Sequence, residues 1–141
     1  MGLRASYEQV AVGGVGEKFT LPLVARYADV WNVPTYALGD IGHKISVLRS
    51  ICEDIGRDPQ TIVLSIEAVM ALAPDDASLP KVRSLAEKRF GVPGFGLHEA
   101  GLIGTPPAVV DRLGELIAMG FGQIVLFTHD RCSDETLEVL S

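Results

Sequence analysis

The sequence has little of what marks several large classes of protein. It contains two cysteines, one tryptophan and 12 lysines and arginines against 18 acidic residues, and its net charge is −6. No more than two basic residues stand together, so a surface for nucleic acid or for an anionic membrane has no electrostatic support. We find neither a secretory signal nor an apolar run long enough to span a bilayer, and we expect no membrane partner.

The two cysteines exclude further kinds of site. Cys52 and Cys132 lie far apart and match no metal-ligand spacing, so we expect neither a metal site nor a disulfide framework. Cys52 falls on the apolar stripe of a predicted helix, where a small core residue is expected. Reduced thiols without a secretory signal predict a cytoplasmic protein.

What is present is typical of one globular domain. Apolar residues make up 48% and charged residues 21% of the chain, which excludes a disordered protein. We therefore treat residues 1–141 as a single domain, long enough to bury about two thirds of its unfolded surface. The mean hydropathy of +0.28 is high for a free-standing domain and predicts apolar surface that a partner covers.

The chain is organised around residues 9–34. A short β-branched run stops at a glycine turn, Gly13 to Gly16, and an amphipathic helix is predicted from that turn to Asp29, with Glu17 in its first turn. A second apolar extended run begins at Val30. Strand, helix and strand in this order predict a βαβ unit, which requires a parallel sheet and a right-handed crossover.

The glycine turn is the chemical centre of this unit. Glycine accepts positive φ freely, and free backbone N–H groups at the start of a helix bind anions. We therefore predict a phosphate or sulfate at the amides of Gly14 to Glu17. A purely structural tight turn fits the same glycines equally well. The apolar side of the helix that follows is predicted to contain Phe19, Leu23, Ala25 or Arg26, and Tyr27.

The remaining chain alternates helices and strands. Apolar spacing and turn residues predict helices at Ile41–Ile55 with Asp40 as N-cap, Pro80–Phe90, Pro106–Met119 and Asp134–Leu140, and strands at Ile62 to about Val69 and at Gln123–Phe127. Four strands with parallel connections predict an α/β fold, half of a TIM (β/α)8 barrel.

Several polar residues have two interpretations. Glu67 interrupts an apolar strand, and a carboxylate there lies either on the inner face of a barrel near a ligand or on a solvated edge. Tyr36 either covers a flat ligand or packs on the backbone of its own loop. His43 and Lys44 lie off the apolar stripe of their helix, which predicts a solvated face.

The second half of the chain adds two further candidates. Residues Gly91 to Ile103 hold four glycines and one proline, a composition too irregular for a core element. They predict either a lid with His98 and Glu99 or a surface excursion. His129 directly follows the last predicted strand, at the strand end where barrel enzymes place their chemistry.

The chain resembles a known family over nearly its whole length. The likeness is carried by the glycine turn with Glu17, by the stretch Leu23 to Asn32, by Gly56 to Pro59 and by Gly104 to Pro106. These motifs resemble the middle of luciferase-like flavin- or F420-dependent oxidoreductases. Members of that family are TIM barrels about twice as long as this chain, so the chain corresponds to their C-terminal half.

The resemblance implies a cofactor and a site. It implies F420 or FMN, with the phosphate held at the glycine turn and with hydride transfer or monooxygenation as the reaction of full-length relatives. The implied cofactor-binding residues are Gly13, Gly14, Val15, Gly16, Glu17 and Asn32, and His129 is the one candidate catalytic residue. Other ring-binding and acid–base groups of the family lie in the half that this chain lacks. Whether the chain alone is an enzyme is therefore left open.

A half-barrel also needs a partner. We expect its helices to cover only the outer face of the sheet, so the inner face and both edge strands stay exposed. A homodimer or a separate N-terminal half completes such a barrel. The alternative function is a catalytically inactive, truncated paralogue that acts as a dimeric ligand-binding or interaction module.

Overall fold

The computed structural model describes residues 9–92 and 96–140. The exposed lead-in expected for residues 1–8 lies outside this part of the chain. The strands are β1 (Ala11–Gly13), β2 (Val30–Val33), β3 (Val63–Leu72), β4 (Leu102–Gly104) and β5 (Gln123–Thr128), and the helices are α1 (Thr20–Tyr27), α2 (Ile41–Asp54), α3 (Leu79–Phe90), α4 (Leu97–Ala100), α5 (Pro106–Ala118) and α6 (Asp134–Leu140). Short 3₁₀ turns at Thr35–Asp40 and Pro59–Thr61 precede α2 and β3.

The strands form one parallel sheet around β3. The first half of β3 pairs with β2, its residues Ser65–Met70 pair with β5, and its end at Met70–Leu72 pairs with the short β4. β1 pairs with the other side of β2. The predicted βαβ unit and the half-barrel architecture are confirmed, with β4 as one strand more than expected.

The outer face of the sheet, defined as the face covered by α1, α2 and α5, holds the main core. Side chains alternate across a strand, and the outward set includes Trp31, Val33, Ile66 and Met70, none more than 2% exposed. These residues pack against apolar side chains of the three helices. Cys52 of α2 lies fully buried in the same core, as predicted, and burial raises the pKa of its thiol.

The opposite, inner face is covered at one end only. Val69 and Ala71 of β3 pack against Val82, Ala86 and Phe90 of α3. The expectation that helices cover only the outer face is therefore wrong for α3. The reason is the length of β3, which runs past the end of β2 and leaves an apolar strip on which the returning chain folds back.

Two further predictions about elements need correction. α1 begins at Thr20, after a turn at residues 17–19, so Glu17 does not lie in its first helical turn. The predicted apolar side is wrong as well, because Phe19, Leu23 and Tyr27 are 71%, 50% and 63% exposed. The helix buries Leu21, Val24 and Ala25, of which only Ala25 belongs to the predicted side.

The glycine-rich stretch after α3 is not the irregular excursion that its composition predicts. It contains α4 and β4, and Leu97, Ala100 and Leu102 are buried. His98 and Glu99 lie exposed on α4. Within the described ranges, no helix is long and apolar enough to cross a membrane.

Candidate functional site

Two hydrogen bonds join the glycine turn to β2. Gly14 has a φ of +108°, its N–H donates to the Asn32 carbonyl over 3.1 Å, and its own carbonyl accepts from the Trp31 indole Nε1 over 2.8 Å. A side chain at position 14 is strained by this φ and would place its Cβ 3.3 Å from Thr20 Cγ2. The turn therefore has one backbone conformation, and the tryptophan beneath it helps to define it.

The free donors of the turn follow Gly14. Because the Gly14 amide is used within the protein, it cannot be the first member of the predicted anion site. Within the described chain, the N–H groups of Val15, Gly16 and Glu17 donate to no protein acceptor. Three successive unused amides that lead into a helix form a cradle for an anion.

Two basic side chains, Lys44 and His43, lie next to this cradle, a contact that sequence reasoning missed. Glu17 Oε1 accepts hydrogen bonds from Lys44 Nζ at 2.5 Å and from His43 Nε2 at 3.0 Å. The first turn of α2 is thus joined to the glycine turn rather than simply solvated. The bond from Lys44, and then that from His43, lowers the pKa of Glu17, and the bond to Glu17 raises the pKa of Lys44. The spacing of helical residues gave no signal for a contact across 27 positions.

A cavity of about 370 Å³ opens beside the turn on the inner face of the sheet. It lies where β1 and β2 end, beside the middle of β3, and the carboxyl ends of strands are the side on which α/β sites are built. Tyr36 is 69% exposed and forms part of the wall. The lining residues are Gly13, Gly14, Asn32, Pro34, Thr35, Tyr36, Glu67 and Phe127.

Glu67 lies on the inner face, as in the first of its two predicted positions, but it is also solvent-exposed. It lies on β3, the central strand, and lines the cavity. Its Oε1 accepts a hydrogen bond from Asn32 Nδ2 over 3.1 Å. The other end of that amide, Asn32 Oδ1, is buried and without a partner in the described residues.

His129 lies beyond the cavity wall. Its N–H continues the ladder to the Met70 carbonyl at 3.0 Å, and its side chain is 7% exposed. Its Nδ1 lies 4.0 Å from Asp130 Oδ1, and both atoms are buried without a hydrogen-bond partner in the described residues. Arg89 of α3 donates to the carbonyls of Thr128 and His129, a link between α3 and the end of β5 that no sequence motif indicates.

Asp130 is held by the start of α6. Burial raises the pKa of this carboxyl, but hydrogen bonds from Ser133 Oγ at 2.5 Å and Thr136 Oγ1 at 2.6 Å outweigh it, so its pKa is lowered overall. Ser133 Oγ also accepts from the Thr136 N–H and so caps α6. Among the described residues, no group of three His, Cys, Asp or Glu side chains is placed to hold a metal ion.

Comparison with known proteins supports the fold. No protein-family model matches the sequence, and no curated protein matches it. The chain is similar in structure to the F420-dependent tetrahydromethanopterin reductase of Methanopyrus kandleri, with a TM-score of 0.64 and 13% identity over 94% of this chain and 48% of that one.

Two further solved structures are similar to this chain over less than half of their own length. An F420-dependent secondary alcohol dehydrogenase in complex with an F420–acetone adduct has a TM-score of 0.67 and 16% identity, over 89% of this chain and 44% of its own. The FMN-bound oxygenating constituent of 3,6-diketocamphane monooxygenase, from a Pseudomonas putida plasmid, has a TM-score of 0.63 and 16% identity, over 94% and 45%.

The fold is that of one half of these barrels. The predicted resemblance to luciferase-like proteins is confirmed at the level of the fold. The chain spans less than half the length of each of these neighbours, as predicted for one half of the barrel. The glycine turn and the cavity lie together at the carboxyl ends of β1 and β2. This arrangement can bind an anion and place the group attached to it against the inner face.

Proposed function

We propose that the chain is part of a luciferase-like oxidoreductase and binds F420 or FMN through the phosphate of the cofactor. The observation that carries this proposal is the cradle of free amides at Val15, Gly16 and Glu17, held above a cavity by the Trp31 and Asn32 bonds to Gly14. A phosphate needs such donors, and backbone amides supply them without a basic surface.

The residues around the cradle fit a phosphate-bearing ligand. Gly13 and Gly14 present no side chain to the cavity, and Lys44 supplies a positive charge close to the turn. When bound, either cofactor supplies hydride or electron chemistry, while the chain binds and orients it. We further propose His129 as an acid–base residue of the completed site, with Asp130 beside it.

One structural neighbour is in complex with an F420–acetone adduct and another with FMN, which leaves the choice between them to experiment. Fluorescence titration with FMN and F420 tests the proposal, with riboflavin as the control that lacks a phosphate. We expect saturable binding of a phosphate-bearing cofactor, weaker binding of riboflavin, and no binding by Gly14→Val. Equal binding of FMN and riboflavin, or unchanged binding by the variant, would remove the cradle from consideration.

We propose that the inner face is completed by a second copy of the chain. Val125 and Phe127 of β5 lie on this face by the register with β3 and are 40% and 39% exposed. Apolar patches of this kind are rare on monomers. Two copies related by a two-fold axis would pair each β5 with the partner's β1 and leave no open edge.

The mass of the particle in solution distinguishes a homodimer from a monomer. A homodimer has twice the 15.1 kDa of the chain, and light scattering at micromolar concentration measures this directly. A particle of 15.1 kDa that unfolds cooperatively would exclude self-pairing and favour a separate N-terminal half.

The chain's two cysteines are free, in keeping with the cytoplasmic location that we propose.

The second candidate function is a ligand-binding or interaction module without turnover. The short span relative to the neighbours favours it, because orientation of the reactants contributes on the order of 7 kcal/mol to catalysis and needs groups from both halves. We expect little or no oxidation of reduced F420 or FMN in the presence of quinone, aldehyde or enone acceptors. Saturable turnover that Gly14→Val abolishes would show that the isolated half-barrel is an enzyme.

A further inference from the structure

An apolar stripe runs along the solvent side of α1. Phe19, at the N-cap, Leu23 and Tyr27 are spaced by four residues, so their side chains line up along one side of the helix. They are 71%, 50% and 63% exposed, and they lie outside the cavity beside the glycine turn. An exposed apolar stripe on a folded domain is typical of a surface that another element covers.

A second apolar surface lies on α6. Thr136 is buried and Val139 packs against the main core, so these two residues face the sheet. Leu137 and Leu140, spaced by three residues, are instead 49% and 50% exposed. The two leucines therefore form a short apolar edge along one flank of the helix.

The right-handed crossover sets where the two surfaces lie in the layer of helices. It places each outer helix between its own strand and the next, so α1 is the first helix of the layer and packs against α2, and α6 is the last. A helix turns about 100° per residue. Leu23 and Tyr27 then lie on the side of α1 away from α2, and Leu137 and Leu140 lie on the side of α6 toward the open edge of β5.

We propose that α6 of a second copy packs along the stripe of α1, with Leu137 and Leu140 of one copy against Leu23 and Tyr27 of the other. This inference rests on the proposed homodimer and extends it to the helices. Pairing of β5 with β1 of the second copy brings the last helix of one layer beside the first helix of the other. The two-fold axis makes this contact twice.

The charges of the two helices favour this pairing. Lys18 and Arg26 flank the stripe, and α1 itself contains no acidic residue. α6 contains Asp134 and Glu138 and no basic residue. Arg26 and Asp134 form no ion pair within the described residues, so both charges are open to a second copy.

The direction of the helices brings opposite charges together. Helices that follow parallel strands run parallel to each other, so the start of α6, with Asp134, comes beside the start of α1, where Lys18 lies. Packing of α1 against another α1 would bring like charges together. The complement of the stripe is therefore the acidic helix rather than a second copy of the stripe.

The contact continues the strand pairing beneath it. A single pair of short helices is too small to hold two proteins together. Here the helix pair lies directly over the paired strand edges, and both are repeated by symmetry. Helices and strands then form one continuous interface, with the apolar residues at its centre and the charges at its rim.

Disulfide cross-linking of the full chain tests the contact. Leu23→Cys and Leu137→Cys are combined with Cys132→Ser, because Cys132 is exposed and Cys52 is buried. A disulfide needs Cα atoms within about 7 Å of each other. We expect mild oxidation to give a covalent dimer of twice the 15.1 kDa of the chain. In the control, Val110→Cys on α5, 64% exposed, replaces Leu137→Cys and should give no cross-link.

Substitutions without cross-linking test the same contact by dilution of the dimer in sedimentation experiments. Leu23→Ser removes an exposed apolar side chain twice per dimer, and we expect the dissociation constant to rise at least about tenfold. Val110→Ser is the control and should leave it unchanged. Asp134→Lys should weaken the dimer, and adding Lys18→Glu should restore it.

The outcomes separate this inference from the proposed homodimer. A monomeric wild type would overturn both. A dimeric wild type that gives no cross-link between positions 23 and 137, with an unchanged dissociation constant in Leu23→Ser, would exclude the helix contact and leave the homodimer standing. A disulfide within one chain would show that α1 and α6 are neighbours in the monomer, and it would also overturn the contact. A cross-link confined to the 23 and 137 pair, with rescue by the charge exchange, would support it.

Discussion

The two faces of the sheet are built from the same strands but differ in what their side chains do. On the outer face, Trp31, Ile66 and Met70 are almost completely buried under three helices. On the inner face, the register partners Glu67 and Val125 of β3 and β5 are both exposed, and the buried Asn32 Oδ1 has no hydrogen-bond partner among the described residues. Stability therefore depends mainly on one face of this protein, and the binding site that we propose lies on the other.

The largest expected effect tests this division directly. Ile66→Ala on the outer face should lower the free energy of unfolding by about 2–5 kcal/mol, because it opens a cavity in a packed core. Val125→Ala on the inner face should cost less than about 1 kcal/mol within one chain, since Val125 is 40% exposed. Urea unfolding of both variants measures the difference.

The same pair of variants also separates folding from pairing. If a second copy covers the inner face, Val125→Ala should weaken association in light scattering while Ile66→Ala mainly weakens the fold. Equal losses of unfolding free energy in the two variants at low protein concentration would contradict the division between the faces.

The next effect concerns the end of α1 on the outer face. Arg57 donates to the carbonyls of Val24, Ala25 and Ala28, at 3.4, 3.1 and 2.6 Å, and so caps the helix C-terminus. Arg57→Ala should cost about 1.5–3 kcal/mol, the usual range for charged hydrogen bonds. Arg49→Ala, at an exposed position on α2, is the matched control, and a similar loss there would argue against the cap.

The elements were predictable from sequence because each has a local cause. Apolar spacing placed α2 and α5, and the change from β-branched residues to glycine placed the end of β1. Partners distant in sequence were not predictable. Nothing local says that Trp31 bonds the Gly14 carbonyl, or that Lys44 reaches Glu17.

The face of the sheet against which a helix packs could not be predicted from the apolar spacing either. The stripe of Val82 and Phe90 predicts a helix, but only the overhang of β3 directs it to the inner face. The exposed side of α1, with Leu23 and Tyr27, is as apolar as its buried side, so an amphipathic pattern could not decide between them. β4 is hidden among glycines because a three-residue strand has no periodicity to detect.

The smallest expected effect is the pH dependence of the stability that the contact between Glu17 and Lys44 contributes at the glycine turn. Glu17 has a lowered pKa, so its contribution to stability is present above its ordinary value of 4.5 and is lost as the pH falls through its folded value. Lys44 has a raised pKa, so its contribution is present below 10.5 and is lost as the pH rises through its folded value. The contact therefore stabilises the protein between these limits.

Comparison of the wild type with Lys44→Met measures this contribution. We expect a small difference in urea midpoint within the window, because the contact is solvated, and a smaller one on either side of it. A difference that does not change with pH would show that Lys44 acts through packing of its aliphatic stem rather than through its charge.

The claim that joins fold to function is that the pinned glycine turn binds the phosphate of a cofactor. Trp31 is the only tryptophan, and its indole N–H donates to the Gly14 carbonyl, so its single indole resonance in a ¹H–¹⁵N spectrum reports on the turn. We predict that the resonance shifts in a saturable way with FMN or F420, that riboflavin leaves it nearly unchanged, and that the shift is absent in Gly14→Val. A resonance that stays in place at saturating cofactor, or moves equally with riboflavin, would contradict the account.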